Sequence, residues 1–289
     1  MAADGGREAP AGGGPGAPRA GGAFFDLDKT LMQGSSAFQF GRAAYRAGLM
    51  GRRQLLADGI ANVRFRLRGA TDADSIALRD RIAASLEGTR VVDLERLGVD
   101  VLAGILPRVY PQMLTIAHEH QDAGRRAYIV TAASQELAVI LARVMALDGA
   151  IGSQLSEVVD GVYTGRPTGV FAYRSGKATA IEELAAREHI DLTASYAYSD
   201  SESDLPMLRA VGHPVAVNPD GELGRIARRE GWQVLHLDRL GFRLKGAAAL
   251  SAAALAGGIG SVALVRRLRP RRRLPMPSRP LLSRRPAWP

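Results

Sequence analysis

Residues 23–30 read Ala23-Phe24-Phe25-Asp26-Leu27-Asp28-Lys29-Thr30. The apolar run Ala23-Phe24-Phe25 stops abruptly at acidic and small residues. That pattern suits a buried parallel strand with functional groups at its carboxyl end. In extended chain, residues i and i+2 project the same way, so Asp26 and Asp28 can both reach one small site. One carboxylate can then serve as nucleophile and the other as acid/base. Thr30 can tie the turn back through hydrogen bonds of its hydroxyl. Taken alone, Asp-x-Asp-x-Thr also reads as a cation-binding loop or a polar turn.

Before this stretch, residues 1–22 are rich in Gly, Ala and Pro. They hold too few large apolar groups to offset the entropy of ordering, so a disordered leader is expected, with order from Ala23. After it, residues 33–106 are dominated by Ala, Leu and Arg, punctuated by Gly48, Gly69, Gly88 and Gly104. No strand period shows there, and the block is expected to be a helical cap inserted over the site. The pattern then alternates. Pro111 opens a helix that ends near Gly124. Ala127–Val130 is a strand. The next helix carries Leu137, Ile140, Leu141 and Val144 on one face, with Gly149 just past its end. Val158–Tyr163 forms a hairpin around Asp160-Gly161. Further helices start near Gly176 and Ser203 and run over 222–230, and strands fall at Tyr196–Ser199, Val215–Val217 and Gln233–Leu237. Alternating strands and helices predict an α/β fold, a doubly wound Rossmann-like parallel sheet. Its catalytic core is 23–32 with 107–240, and its inserted helical cap domain is 33–106.

Three further segments carry chemistry. Thr131 follows Tyr128-Ile129-Val130 directly, where a hydroxyl and free backbone N–H groups near a helix start favour an anion. A helix N-cap by Thr131 or Ser134 is the alternative. Lys177 lies in Ser175-Gly176-Lys177 at a helix start. It can offset phosphate charge or sit exposed on the surface, and the glycine spacing of a Walker loop is missing. In Tyr198-Ser199-Asp200-Ser201-Glu202-Ser203-Asp204 a strand ends in one acid and a second follows near a helix start. All-oxygen ligands suit magnesium. Helix capping by acids accounts for Glu202 and Asp204, and less well for Asp200.

The order Asp26-Leu27-Asp28-Lys29-Thr30, Val130-Thr131, Lys177, then Asp200 with Asp204 resembles the haloacid dehalogenase superfamily over roughly residues 23–237. The cap position is similar to that of the phosphoserine-phosphatase-like branch. The resemblance implies a phosphatase acting on a small phosphorylated substrate. Asp26 would carry the phosphoryl group, and Asp28 would protonate the leaving oxygen and then activate water. Thr131 and Lys177 would bind phosphate. Asp26, the Asp28 carbonyl and Asp200 would hold Mg2+, with Asp204 in support. Two positions depart from the branch. Ser35 stands where a glutamate receives the substrate ammonium, and Ser203 replaces an asparagine. An amine-free substrate is therefore at least as well suited as phosphoserine. Asn218-Pro219-Asp220 fits the branch and fits a plain turn equally.

The remaining features bound the class. Apolar residues make up 46% of the chain, enough for a sizeable core. There is no cysteine, which excludes disulfides and thiolate metal sites and fits a cytoplasmic protein. His118 and His120 are i, i+2 on a helix and face apart, so ordinary surface roles are expected. The nine arginines of 266–289, with no acid among them, account for the whole net charge of +9. The body is thus no basic nucleic-acid binder, and no specific nucleic acid is expected. Residues 246–265 carry no charge but are mostly Ala and Gly. They form a candidate membrane-associated helix followed by a basic disordered tail over 266–289, together suited to an anionic membrane surface. A membrane-associated scaffold or regulator with a vestigial phosphatase site is the competing reading.

Overall fold

The computed structural model describes residues 20–48, 51 and 72–237. The expectations for residues 1–19 and 238–289, the candidate membrane helix included, lie outside the described residues. No helix among the described residues is long and apolar enough to cross a membrane.

Six strands form one all-parallel sheet in the order β3-β2-β1-β6-β7-β8. They are β1 (Gly22–Asp26), β2 (Arg126–Ser134), β3 (Gly149–Ser153), β6 (Tyr196–Ser199), β7 (His213–Val217) and β8 (Gln233–Leu235). The chain builds outward from β1 to β3, then crosses back to build β6 to β8 on the other side. The reversal leaves a crevice between the carboxyl ends of β1 and β6, where α/β sheets bind ligands. β1 starts one residue earlier than the sequence suggests. A Cβ on Gly21 would lie 2.2 Å from the carbonyl oxygen of Ala194, so the chain can enter the sheet there only as glycine.

Successive strand residues face opposite sides, and β1 shows it in two adjacent rings. Phe24 stacks on Tyr128, its register partner on β2, at 5.7 Å. Phe25 stacks on Tyr198, its register partner on β6, at 4.5 Å. The Phe24 face packs against Ile181 and Leu184 of α6 (Ser175–Glu188), Met207 and Leu208 of α7 (Leu205–Arg209), and Leu223 and Ala227 of α8 (Gly221–Glu230). The Phe25 face packs against Met113 and Ala117 of α4 (Pro111–Asp122) and Leu137 and Leu141 of α5 (Gln135–Val144). The sheet is therefore covered on both sides, as an all-parallel sheet must be.

Between β1 and α4 lie the inserted helices α1 (Ser36–Arg46), α2 (Asp72–Ser85) and α3 (Val91–Ile105). Ala43, Ala44, Leu97, Val101 and Ile105 belong to the same apolar cluster as the Phe25 face. The insertion leaves and returns through one short pairing. Gln33 N–H donates to the Arg108 carbonyl (2.7 Å), and Tyr110 N–H donates to the Leu31 carbonyl (2.8 Å). The hairpin β4 (Val158–Val159) and β5 (Val162–Tyr163) turns on Asp160 and Gly161, both with positive φ, as its Asp-Gly dipeptide requires. It is tied to the insertion by Tyr163 N–H on the Thr89 carbonyl and Val91 N–H on the Gly161 carbonyl, both 2.9 Å.

Three sequence expectations change. β3 has no counterpart among the expected strands, and the helix that precedes it is closed by Ala146 (φ 56), not by Gly149, which opens the strand. The Thr30 hydroxyl is buried with no hydrogen-bond partner among the described residues. The turn is instead tied by Leu31 and Met32 N–H groups on the carbonyls of Asp26 and Leu27. His120 is not a surface residue. It is 5% exposed, its Nδ1 accepts from Arg125 Nε at 2.7 Å, and its Nε2 therefore donates to the Tyr198 hydroxyl, also 2.7 Å away.

Burial first, and then the Arg125 charge, push the His120 imidazole down to about 4 from an ordinary 6.5. The unfolded chain then takes up a proton near pH 6.5 that the folded protein refuses until about pH 4. The stabilisation is complete above pH 6.5 and is lost as pH falls through that window. Urea unfolding at pH 7 and pH 5 should show a smaller loss on acidification in His120→Gln than in the unmutated protein. An equal loss in both would show that His120 is not the titrating group.

Candidate active site

The register of the sheet brings the sequence-predicted residues to one edge. Asp26, the last residue of β1, pairs with Val130 of β2, so Thr131 stands one residue beyond it on the neighbouring strand. On the other side, Phe25 pairs with Tyr198, which puts Ser199 level with Asp26 and Asp200 one residue beyond. Asp26, Thr131, Asp200 and Asp204 are all buried. The Thr131 hydroxyl accepts from Ala133 N–H at 3.2 Å, where the β2–β3 register shifts, while Ser134 caps α5 through Leu137 N–H. Thr131 is therefore not the helix cap.

Lys177 arrives from the far side. A Cβ on Gly176 would stand 2.0 Å from the Phe171 carbonyl oxygen, so the first turn of α6 presses directly against the preceding loop. That loop is anchored by Ala172 N–H on the Ser153 hydroxyl at the end of β3 (3.0 Å). Lys177 is thereby carried inward to 3% exposure. Its Nζ lies 2.5 Å from Asp26 Oδ1 and 2.7 Å from Asp204 Oδ2. Burial alone would lower the lysine, but Asp204 and then Asp26 outweigh it and hold Lys177 above the ordinary lysine value.

The carboxylates show the opposite strain. Burial raises Asp26 to about 8 against the pull of Lys177, with Asp204, Asp200 and Asp28 adding to the rise. Asp200 rises to about 6, chiefly by burial, with Lys29 opposing and Asp204 adding. Among the described residues negative charge is thus in surplus at this edge. Among the described residues no three acidic or histidine side chains converge into a ready-made cage. Magnesium does not need one, since it is held by one or two carboxylates completed by water and substrate oxygens. An all-oxygen, charge-surplus edge fits that ion.

Sequence reasoning missed several members of the site. Ser199 donates to Asp204 Oδ2 at 2.7 Å, so the Asp204 carboxylate is oriented by a hydroxyl as well as by Lys177. Half-exposed Lys29 (φ 60) places its Nζ 3.4 Å from Asp200 Oδ2. Asp220 proves to be more than a turn residue. Its N–H donates to the Asp200 carbonyl (2.9 Å), and its carboxylate accepts from Glu202 N–H (3.1 Å) and caps α8 through Leu223 N–H (2.8 Å). Asp28 lies past the strand end. It accepts from the Ser35 hydroxyl at 3.0 Å and from Ser36 N–H at 2.7 Å.

The family model described as haloacid dehalogenase-like hydrolase matches residues 23–209. The chain belongs to that family. The chain is 37% identical over 251 residues to a Mycobacterium tuberculosis protein named phosphoserine phosphatase SerB1, covering 86% of this chain and 81% of that one. It is 30% identical to a Neisseria meningitidis histidinol-phosphatase, covering 74% of this chain and 97% of that one. Among solved structures it is similar to a Bordetella pertussis protein of unknown function, with a TM-score of 0.67 and 28% identity, covering 76% of this chain and all of the other. This member of the haloacid dehalogenase-like family thus has named phosphatases among its relatives, and its sheet is the doubly wound parallel sheet expected from the sequence.

A buried lysine between two carboxylates makes a specific stability claim. Removing one partner of such a set leaves uncompensated buried charge and costs about 3 kcal/mol. Lys177→Met should lose about that much in urea unfolding with a chelator present. Adding Asp204→Asn should cost less than the sum of the two single changes, because both remove the same interaction. Strict additivity would show that the two groups do not interact.

Proposed function

We propose that the chain is a magnesium-dependent phosphomonoesterase that works through an aspartyl-phosphate on Asp26. The observation that carries this reading is the buried Lys177 ammonium bridging Asp26 and Asp204 at the crevice of the sheet. Phosphoryl transfer needs a nucleophile, an acid for the leaving group, and fixed positive charge for the phosphate oxygens. Asp26, Asp28 and Lys177 with Thr131 supply these in turn.

In the first step an Asp26 carboxylate oxygen attacks phosphorus. The bond from phosphorus to the ester oxygen breaks, and that oxygen takes the proton of Asp28 as the alcohol departs. In the second step water gives a proton to Asp28 and its oxygen attacks the same phosphorus. The bond from phosphorus to Asp26 breaks, inorganic phosphate leaves, and both aspartates return to their starting states. Lys177 and the Thr131 hydroxyl donate to the non-bridging oxygens throughout. Magnesium, held by the Asp26 and Asp200 carboxylates and the Asp28 carbonyl with Asp204 in support, would neutralise charge on the phosphoryl group. The inserted helices would serve as the cap that covers the substrate.

Two relatives are named for alkyl phosphates of small metabolites, phosphoserine and histidinol phosphate, which supports a small alkyl phosphomonoester here. Ser35 brings no negative charge to the position beside Asp28, so nothing at that point demands an amine on the substrate. A vestigial site is disfavoured by the intact charge pairing, since buried charges without a use are costly to retain.

Asp26→Asn should abolish phosphate release from 4-nitrophenyl phosphate, and a chelator should abolish it reversibly in the unmutated protein. Lys177→Ala should lower turnover by about 10²–10³-fold, the loss typical of one preorganised donor to developing charge. Full activity in Asp26→Asn would rule out the aspartyl-phosphate. Activity that survives exhaustive chelation would rule out the metal.

A further inference from the structure

We propose that Ser35 is a positioning residue that fixes the rotation of the Asp28 carboxyl group, the proton donor of the preceding reading, on which this inference rests.

Ser35 occupies the N-cap position of α1 with extended backbone (φ −129°, ψ 130°). At that position a serine hydroxyl ordinarily accepts from an N–H in the first helical turn. Here its side chain makes no cap hydrogen bond. Its Oγ instead donates to Asp28 Oδ2 at 3.0 Å. The freed helix start is satisfied by Asp28 itself, whose Oδ1 accepts from Ser36 N–H at 2.7 Å. Gly34, with φ 93°, turns the chain back so that both donors face the aspartate.

The consequence is geometric. A carboxyl group held through one oxygen can still rotate about its bond to Cβ. Bonds to both oxygens from two consecutive residues remove that freedom. The Ser36 N–H is backbone and survives any substitution, so of these two bonds the Ser35 hydroxyl is the one that a side-chain change removes. A general acid must be aimed at the leaving oxygen within hydrogen-bond reach to help its departure. Loss of the hydroxyl therefore reduces proton donation rather than binding. The hydroxyl does not reach phosphorus in this scheme. It acts only through Asp28.

The test compares two aryl esters whose leaving groups differ in their need for a proton. Phenyl phosphate expels a poor leaving group, and 4-nitrophenyl phosphate a good one. General acid catalysis contributes about 10²–10⁴-fold, so losing the aim of the acid should cost about 10-fold in kcat/KM for phenyl phosphate and less than about 3-fold for 4-nitrophenyl phosphate. Ser35→Ala should show that split, and Ser35→Thr, which keeps the hydroxyl, should restore the wild-type ratio. Ser35→Val has the shape of Thr without the hydroxyl, so the Thr and Val pair decides the matter even if the alanine variant folds poorly. An equal loss on both esters in folded Ser35→Val, or no loss at all, overturns the inference while leaving the phosphatase reading intact. If the unmutated protein hydrolyses neither ester, the phosphatase reading itself fails and this inference falls with it.

Discussion

The ammonium of Lys177, 2.5 Å from Asp26 and 2.7 Å from Asp204, is out of reach of bulk water. An isolated lysine could not stay charged there. Its place is prepared by the polypeptide on every side. The glycine at 176 lets α6 start in contact with the Phe171 carbonyl, Ser153 at the end of β3 holds the loop in front of it, and Ser199 turns the Asp204 carboxylate toward it. Four separate stretches of chain therefore meet on one cation. The doubly wound order of the sheet makes this possible, since it sets the ends of β2, β1 and β6 side by side.

One lysine does not balance the site. Asp26, Asp204 and Asp200 are buried together, and among the described residues Lys177 and the half-exposed Lys29 oppose them. Burial first, and then the neighbouring carboxylates, raise the Asp26 carboxyl to about 8 against the pull of Lys177. In the proposed reaction the Asp26 carboxylate must be ionised, and further positive charge beside it would favour that form. The proposed divalent cation would supply it, offsetting the effect of burial without adding a side chain to the strand end. At Asp26 burial and the proposed chemistry pull in different directions, a condition in which perturbed carboxylates at functional sites are often found.

Much of this is legible in the amino-acid sequence itself. The apolar run ending at Asp26, the acids at 200 and 204 and the lysine at 177 can be ordered into one site because residues at strand ends and helix starts converge in a parallel sheet. What escapes such reading depends on turn geometry or on close approach. β3, Gly149-Ala150-Ile151-Gly152-Ser153, has a single β-branched residue, Ile151, and no aromatic one, so the mark of a strand is faint. Its glycines are there because a Cβ at Gly149 would lie 3.1 Å from the Tyr128 ring and one at Gly152 2.7 Å from the Gln135 backbone. Ser199 and Lys29 reach their partners through loops whose path no spacing rule gives. His120 is different, because the sequence does carry a signal for it. Met113, Ala117 and His120 recur at helical intervals and share the buried face of α4. The informative neighbours of His120 are those two residues, not His118.

The link between Asp28 and α1 bears on how the two parts of the molecule cooperate. The first inserted helix begins on the residue proposed as acid/base, since Ser36 N–H, an otherwise unsatisfied helix-end donor, finds its acceptor in Asp28. The helix end needs the carboxylate as much as the carboxylate needs the helix. The insertion is also anchored close by, where Gln33 N–H bonds the Arg108 carbonyl and Tyr110 N–H the Leu31 carbonyl across its two connecting segments, and its apolar face merges with the core beneath the sheet. A displacement of α1 relative to the sheet would therefore be felt first at Asp28. Asp26 sits on the rigid strand, and Asp28 sits on the joint between strand and insertion. The proposed nucleophile is thus fixed by the fold, and the proposed proton donor by the way the inserted helix begins.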